Sequence, residues 1–191
     1  IGSNDGTLLS GFKKKCKILG IEPTNTAKIA RTNGINTIQD FTNEKLAKKI
    51  VNKYGKADLI TATNVFAHMA DLGKVLRSIE ILLNDNGHFV LENHYLLDII
   101  KDLQFDSIYH EHVRTYSLKP IIKLFSFYDL KVIKVERASR YGGNIRVHVA
   151  KNCNEKIHQS VQNTLDLEEN FGLYKDFVYK KFSKDVLRSK K

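Results

Sequence analysis

Short apolar runs alternate with amphipathic segments over the first half of the chain, and this alternation limits the fold more than any other feature. The runs at 17–21, 35–38, 57–62 and 88–92 are four to six residues long, too short for buried helices, and read as buried strands. Between them the periodicity is helical. Leu8, Leu9, Phe12 and Cys16 keep helical spacing with Thr7 in place as an N-cap, and a short helix at 26–33 closes on Gly34. Thr42 caps a helix whose Leu46, Ala47, Ile50, Val51 and Tyr54 share one face and which stops at Gly55. A longer helix carries Leu72, Val75, Leu76, Ile79 and Leu82 on one stripe and ends at Asn84-Asp85-Asn86-Gly87. Such alternation specifies a parallel sheet covered on both faces, with right-handed crossovers.

Beyond residue 93 the pattern changes. Residues 94–116 hold a short amphipathic stretch and a polar loop rich in aromatic residues and histidine. Ser117 caps a helix through Tyr128, with Pro120 tolerated in its first turn. Two alternating strands, 130–138 and 144–150, are joined only by Ser139-Arg140-Tyr141-Gly142-Gly143, a connection that permits an antiparallel hairpin and no crossover. The expected architecture is α/β: a mostly parallel seven-stranded sheet with an antiparallel final hairpin. Its first strand is expected to be truncated, because the chain opens directly on Ile1-Gly2-Ser3-Asn4-Asp5-Gly6, a loop that should follow a strand. The chain also ends within a Lys-rich helical stretch, so it reads as an internal fragment. Residues 1–152 are expected to form the α/β domain, and 153–191 the helical start of a truncated C-terminal domain.

The net charge of +10 suggests a nucleic-acid surface, but seven basic and two acidic residues between 175 and 191 account for half of it. The rest is spread without a dense basic stripe, so a solvated helix face is expected and no nucleic-acid partner. A modest positive bias also suits a substrate carrying a pyrophosphate. No apolar run reaches the ~18–20 residues of a membrane span, and no signal-peptide pattern opens the chain. A cytoplasmic protein without a membrane partner is the expectation. Cys16 and Cys153 are too few and too far apart for a disulfide framework or a zinc knuckle, and their neighbours predict buried free thiols.

Ligands of open α/β sheets bind at the carboxyl ends of strands. In the loop 2–6, Gly2 and Gly6 let a ligand approach the backbone, Asn4 lies between them, and the helix that follows offers free N–H groups. Glu22, sixteen residues after Gly6 at the end of the next strand, can accept hydrogen bonds from both hydroxyls of a ribose. Two cofactor classes use this geometry. A dinucleotide loop carries Gly-x-Gly-x-x-Gly, whose middle glycine admits the pyrophosphate; the spacing here is Gly-x-x-x-Gly, which favours S-adenosylmethionine, a cofactor without phosphate. By itself this spacing also fits an ordinary strand–turn–helix corner. Phe41 offers either a stacking surface for adenine or a core side chain. Asn64, after the strand 57–62, is placed to border the methyl-donor end of the pocket.

Polar groups gather in two segments past strand ends: Asn64-Val65-Phe66-Ala67-His68 and Tyr109-His110-Glu111-His112. Histidines, a carboxylate and a phenol on one strand-end face make a general-base site, because imidazole titrates near neutral pH. His68 also fits a packed or capping role. His110 and His112, two apart on an extended chain, would face one side, but no third ligand at a recognisable spacing accompanies them and no metal is expected. His88, His94, His148 and His158 read as structural or surface residues.

Taken together, the segments 1–6, 64–68, Phe105-Asp106-Ser107-Ile108-Tyr109-His110-Glu111-His112 and Tyr141-Gly142-Gly143-Asn144-Ile145-Arg146 resemble the sugar C-methyltransferase family. That family includes enzymes that methylate carbon 3 of thymidine-diphosphate-linked 4-keto-deoxysugars. The resemblance runs through nearly the whole chain and is most specific in the Tyr-His-Glu-His block. It implies the class I methyltransferase, Rossmann-like fold, with Gly2, Asn4, Gly6, Glu22, Phe41 and Asn64 around S-adenosylmethionine. It also implies that His112 removes the proton next to the ketone, that Tyr109 and Glu111 position the sugar and stabilise the enolate, and that His68 contacts the same ring. Family members add an N-terminal zinc-binding domain with four cysteines and a C-terminal Rossmann-like domain, neither complete here, so zinc is expected only in a missing domain. The expected activity is C-methylation of a nucleotide-linked sugar. The alternatives are O- or N-methyl transfer to another small molecule, or a cofactor-binding domain without turnover; an NAD-dependent sugar oxidoreductase is opposed by the missing Gly-x-Gly.

Overall fold

The computed structural model describes residues 1–151 and 155–189. The loop 1–6 leads into one helical turn, α1 (Thr7–Ser10), and then β1 (Gly20–Ile21), α2 (Thr26–Thr32) and β2 (Thr37–Ile38). There follow α3 (Glu44–Tyr54), β3 (Ala57–Thr63), a 3-10 turn at Phe66–His68, α4 (Leu72–Leu82) and β4 (Leu83–His94). After α5 (Leu96–Lys101), a 3-10 turn at Phe105–Ser107 and α6 (Leu118–Phe125), the chain forms the hairpin β5 (Leu130–Ala138) and β6 (Asn144–Lys151). Two helices close the described chain, α7 (Gln159–Phe171) and α8 (Asp176–Ser189).

The expected α/β architecture is present, but the sheet differs in detail. β1 and β2 pair in parallel as one small sheet, and β3, β4, β6 and β5 lie in that order in another. Only β3–β4 is parallel there; β4–β6 and β5–β6 are antiparallel. The described residues therefore form a mixed arrangement of six strands in two sheets, not one mostly parallel sheet of seven. Residues 1–3 tie the two together: the Ile1 nitrogen donates to the Thr61 carbonyl at 2.8 Å and the Ser3 N–H to the Ile21 carbonyl at 3.1 Å. The final hairpin is antiparallel, as its short connection requires.

Local corrections follow from packing. The helix expected through Cys16 stops after one turn, because α1 buries none of its residues and nothing rewards its extension. Gly6, not Thr7, is its N-cap residue, and Asp5 Oδ1 takes the Thr7 N–H at 3.0 Å. Cys16 is exposed rather than buried; Cys153 lies outside the described residues. Asn43, one residue after Thr42, caps α3 by accepting the Leu46 N–H at 2.9 Å. The Asn84–Gly87 stretch read as a stop belongs to β4, where the pairing with β3 shifts register.

The core centres on β4. Phe66, Phe89 and Phe125 form a ring cluster, the first pair tilted at 5.7 Å between centroids and the second edge to face at 6.0 Å, and Leu76, Ile79, Leu83, Leu91 and Val147 are fully enclosed beside it. Each such side chain contributes ~1.5–3 kcal/mol of burial free energy. α7 lies on β5 and α6. Its fully buried Glu168 accepts hydrogen bonds from Tyr95 Oη at 3.0 Å, the Leu118 N–H at 2.5 Å, the Lys119 N–H at 3.3 Å and Tyr174 Oη. Ser117 stands at the N-cap of α6 but its side chain accepts nothing from the helix; a carboxylate from another helix does that work. No helix among the described residues is long and apolar enough to cross a membrane.

Candidate active site

The loop 1–6 is shaped by close packing. Gly2 has φ +62°, and a Cβ there would sit 2.3 Å from Val65 Cγ1, so only glycine lets the loop lie against the segment after β3. Gly6, at φ +84°, would place a Cβ 2.8 Å from Ile35 Cγ1. The glycine requirement inferred from ligand approach thus has a second cause, contact between loop and fold. Asn4 takes a left-handed backbone, φ 50°, which aims its N–H at Glu22 Oε2, 3.0 Å away. Glu22 Oε1 accepts from the Thr24 N–H at 2.9 Å and from Thr24 Oγ1 at 2.7 Å. Burial works against the charge of Glu22, but these hydrogen bonds outweigh it and hold the carboxyl below its ordinary value. The result is an ionised carboxylate beside the loop, with Oε2 retaining a lone pair that fits one ribose hydroxyl; Oε1 is already engaged twice. Phe41, beyond β2, is 74% exposed, which excludes the core reading and leaves its ring faces free.

Asn64 follows β3 with φ 53°, its N–H on the Glu92 carbonyl at 2.7 Å. Behind it, Glu92 is buried and paired with Arg146 Nε at 2.7 Å and Asn144 Nδ2 at 3.1 Å. Asn64 thereby joins the loop side, through its neighbour Val65, to a cleft of ≈ 250 Å³ at the carboxyl ends of β3 and β4.

His68, His94, Tyr109, His112 and Tyr141 line that cleft. The segment 109–116 is stitched to the turn at Phe66–His68: the Val113 N–H donates to the Ala67 carbonyl at 3.0 Å, Tyr116 Oη to the Phe66 carbonyl at 3.0 Å, and Arg114 to the carbonyls of Met69 and Ala70. This brings His68 and His112 to a ring separation of 4.8 Å, with His94 5.4 Å from His112. The His112 N–H donates to the Tyr109 carbonyl at 2.9 Å, closing a turn. An extended run at 109–112, which would have turned His110 and His112 to one side, is therefore not what forms. Tyr109 and His112 meet instead, while the side chains of His110 and Glu111 are 90% and 61% exposed and neither lines the cleft.

The tautomer of His112 follows from its partners. Nδ1 lies 2.8 Å from the Ser107 carbonyl oxygen, which can only accept, so Nδ1 carries the proton. Nε2 of the neutral ring is then the lone-pair side, and Tyr109 Oη donates to it at 3.0 Å. His94, read from the sequence as structural or surface, is a member of the cluster. Burial, and then the nearby His112 and His68, push its pKa below the ordinary value. Its position at the carboxyl end of β4 was the available signal. Among the described residues no group of three or more histidine, cysteine or acidic side chains is arranged to hold a metal ion.

Comparison with solved structures shows the class of protein this fold defines. A SAM-dependent methyltransferase from Archaeoglobus fulgidus superposes with a TM-score of 0.63 at 12% identity, over 78% of this chain and 83% of that one. A SAM-dependent methyltransferase from Anabaena variabilis gives 0.61 at 15% identity, over 78% and 74%. The fold is that of the α/β methyltransferases. The chain itself belongs to the methyltransferase domain family, whose profile matches residues 1–135. It is also 31% identical, over 185 residues, to the C-methyltransferase NovU of Streptomyces niveus. That match covers 95% of this chain and 44% of NovU, so the chain spans less than half the length of this relative.

Proposed function

We propose that the chain is an S-adenosylmethionine-dependent C-methyltransferase core that acts beside the ketone of a nucleotide-linked deoxysugar. The observation that carries the reading is the His112 arrangement: an imidazole held through Nδ1 on the Ser107 carbonyl, with Nε2 turned to Tyr109 in the cleft. The names of the relatives support the donor and the carbon acceptor.

Glu22, Asn4, the glycines at 2 and 6, Phe41 and Asn64 would hold the donor. S-adenosylmethionine, when bound, supplies the sulfonium methyl group that the nucleophilic carbon takes. The protein's own task is to make that carbon nucleophilic. His112 Nε2 accepts the proton from the carbon next to the ketone; the C–H electron pair becomes the C=C bond of an enolate, and the former carbonyl π pair moves to oxygen. The positive charge on the ring is stabilised by the Ser107 carbonyl facing Nδ1–H. Tyr109, displaced from Nε2 by the carbon acid, donates its hydroxyl to the enolate oxygen, and His68 contacts the sugar ring.

Calorimetric titration of the 191-residue chain with S-adenosylhomocysteine and NAD in parallel tests the donor. Deuterium exchange at the carbon next to the ketone of a thymidine-diphosphate 4-keto-6-deoxyhexose, followed by NMR in D2O, tests the chemistry. His112→Ala is expected to keep S-adenosylhomocysteine affinity and to slow exchange by roughly 10²–10⁴-fold. Binding of NAD in place of S-adenosylhomocysteine refutes the methyltransferase reading. Exchange that persists undiminished in His112→Ala refutes the base, and O- or N-methyl transfer becomes the better account if the wild-type chain binds the donor analogue but catalyses no exchange.

A further inference from the structure

Phe89, Leu91 and Asn93 share one face of β4, at 0%, 1% and 1% exposure. The row runs from the ring cluster of the core to the wall of the cleft, and its last member is an amide. Neither Nδ2 nor Oδ1 of Asn93 has a hydrogen-bond partner. Its neighbours are better satisfied: Glu92 is held by Arg146 and Asn144, and Asn64 Oδ1 meets Asn144 Nδ2 at 3.4 Å, which leaves Asn144 with one unpartnered atom, Oδ1, where Asn93 has two. An amide brings two donors and an acceptor, and burying all of them unused is a net cost to folding. A leucine would continue the apolar row without that cost. Asn93 also borders the cleft that contains His94 and His112.

We propose that Asn93 is a substrate-contacting residue whose amide binds the oxygens of the methyl acceptor. Resting on the function proposed above, the acceptor presents a ketone flanked by a hydroxyl: Nδ2–H donates to the ketone oxygen and Oδ1 accepts from the hydroxyl. The bond to the ketone strengthens as that oxygen gains charge in the enolate. Glu111 is exposed and outside the cleft. The two donors to the enolate are then Tyr109 and Asn93, the latter buried where water does not compete.

Three measurements on the wild-type chain, Asn93→Leu and Asn93→Asp test this: melting temperature without ligand, affinity for S-adenosylhomocysteine, and affinity for a thymidine-diphosphate 4-keto-6-deoxyhexose. The expected result is an Asn93→Leu chain that melts at or above the wild-type temperature and binds S-adenosylhomocysteine within twofold, with keto-sugar affinity at least tenfold weaker in both variants. A merely structural asparagine predicts the reverse, a less stable Asn93→Leu with unchanged sugar affinity, and that outcome overturns the proposal. Unchanged sugar affinity in both variants overturns it as well while leaving the proposed function standing. If the wild-type chain binds S-adenosylhomocysteine but no keto sugar, the acceptor assignment fails, and stability decides Asn93: a more stable leucine variant supports a ligand-facing amide, and a less stable one refutes it.

Discussion

Glu168→Ala should be among the most destabilising single changes in the α7 helix, and the structure lets its cost be worked out. The carboxylate is wholly enclosed and accepts from two phenols and two backbone N–H groups. Two of the four donors, Tyr95 Oη and the Leu118 N–H, belong to residues with no exposure and cannot turn to water. Each buried donor left without an acceptor costs ~1–3 kcal/mol. Tyr174 is only half-buried and Lys119 is exposed, so their donors recover solvent. The two stranded donors together cost ~2–6 kcal/mol, and relief of the buried carboxylate offsets part of that, leaving about 2–5 kcal/mol. At ~2–4 °C per kcal/mol for a chain of this size, the melting temperature should fall by roughly 4–20 °C. Glu168→Gln keeps one oxygen for Tyr95 and Leu118 but turns an NH2 toward the Lys119 N–H, so it should lose about 1–2 kcal/mol. Urea unfolding of the three proteins measures both. A loss below about 1 kcal/mol for Glu168→Ala, or equal losses for the two variants, would show that the carboxylate does not hold α7 to α6 and Tyr95.

Two further outcomes are expected. Burial raises the pKa of Tyr95 and Tyr174 above the ordinary 10.0 and that of Tyr116 to about 12, so the fold favours their neutral forms; the stability this contributes is complete below pH 10.0 and is lost as pH rises toward 12 and beyond, visible as a falling urea midpoint in alkaline buffers. Gly2→Ala must hold a Cβ 2.3 Å from Val65 Cγ1 at φ +62°; it should cost at least ~1 kcal/mol from the backbone alone and weaken S-adenosylhomocysteine binding, with Val65→Ala restoring only the steric part.

The strand and helix pattern through β4, and the hairpin after it, were legible because they are written in local periodicity. Leu72, Val75, Leu76, Ile79 and Leu82 make one face of α4 wherever that helix is placed. What failed were elements whose lengths depend on partners, such as α1, which ends after one turn for want of anything to pack against. The site divided the same way. The glycine loop, Glu22 and the Tyr-His-Glu-His block stood out as polar groups at the expected cleft, and the family resemblance supplied the expectation that His112 is the base. His94 and Asn93 were passed over, since they follow an ordinary apolar run and only their place at the carboxyl end of β4 set them apart; what lies across the cleft from them is a matter of tertiary packing.

Sequence by itself determined the order and type of most strands and helices, though not their lengths, because the apolar pattern repeats over two to four residues along the chain. Tertiary structure alone decided that the turn at 109–112 pairs Tyr109 with His112 and sends Glu111 to solvent. It alone decided that the Ser107 carbonyl sets the His112 tautomer, and that a carboxylate fifty residues away caps α6 where Ser117 does not. Each of these rests on hydrogen bonds whose direction depends on where distant segments meet, and spacing along the chain does not encode those meeting points.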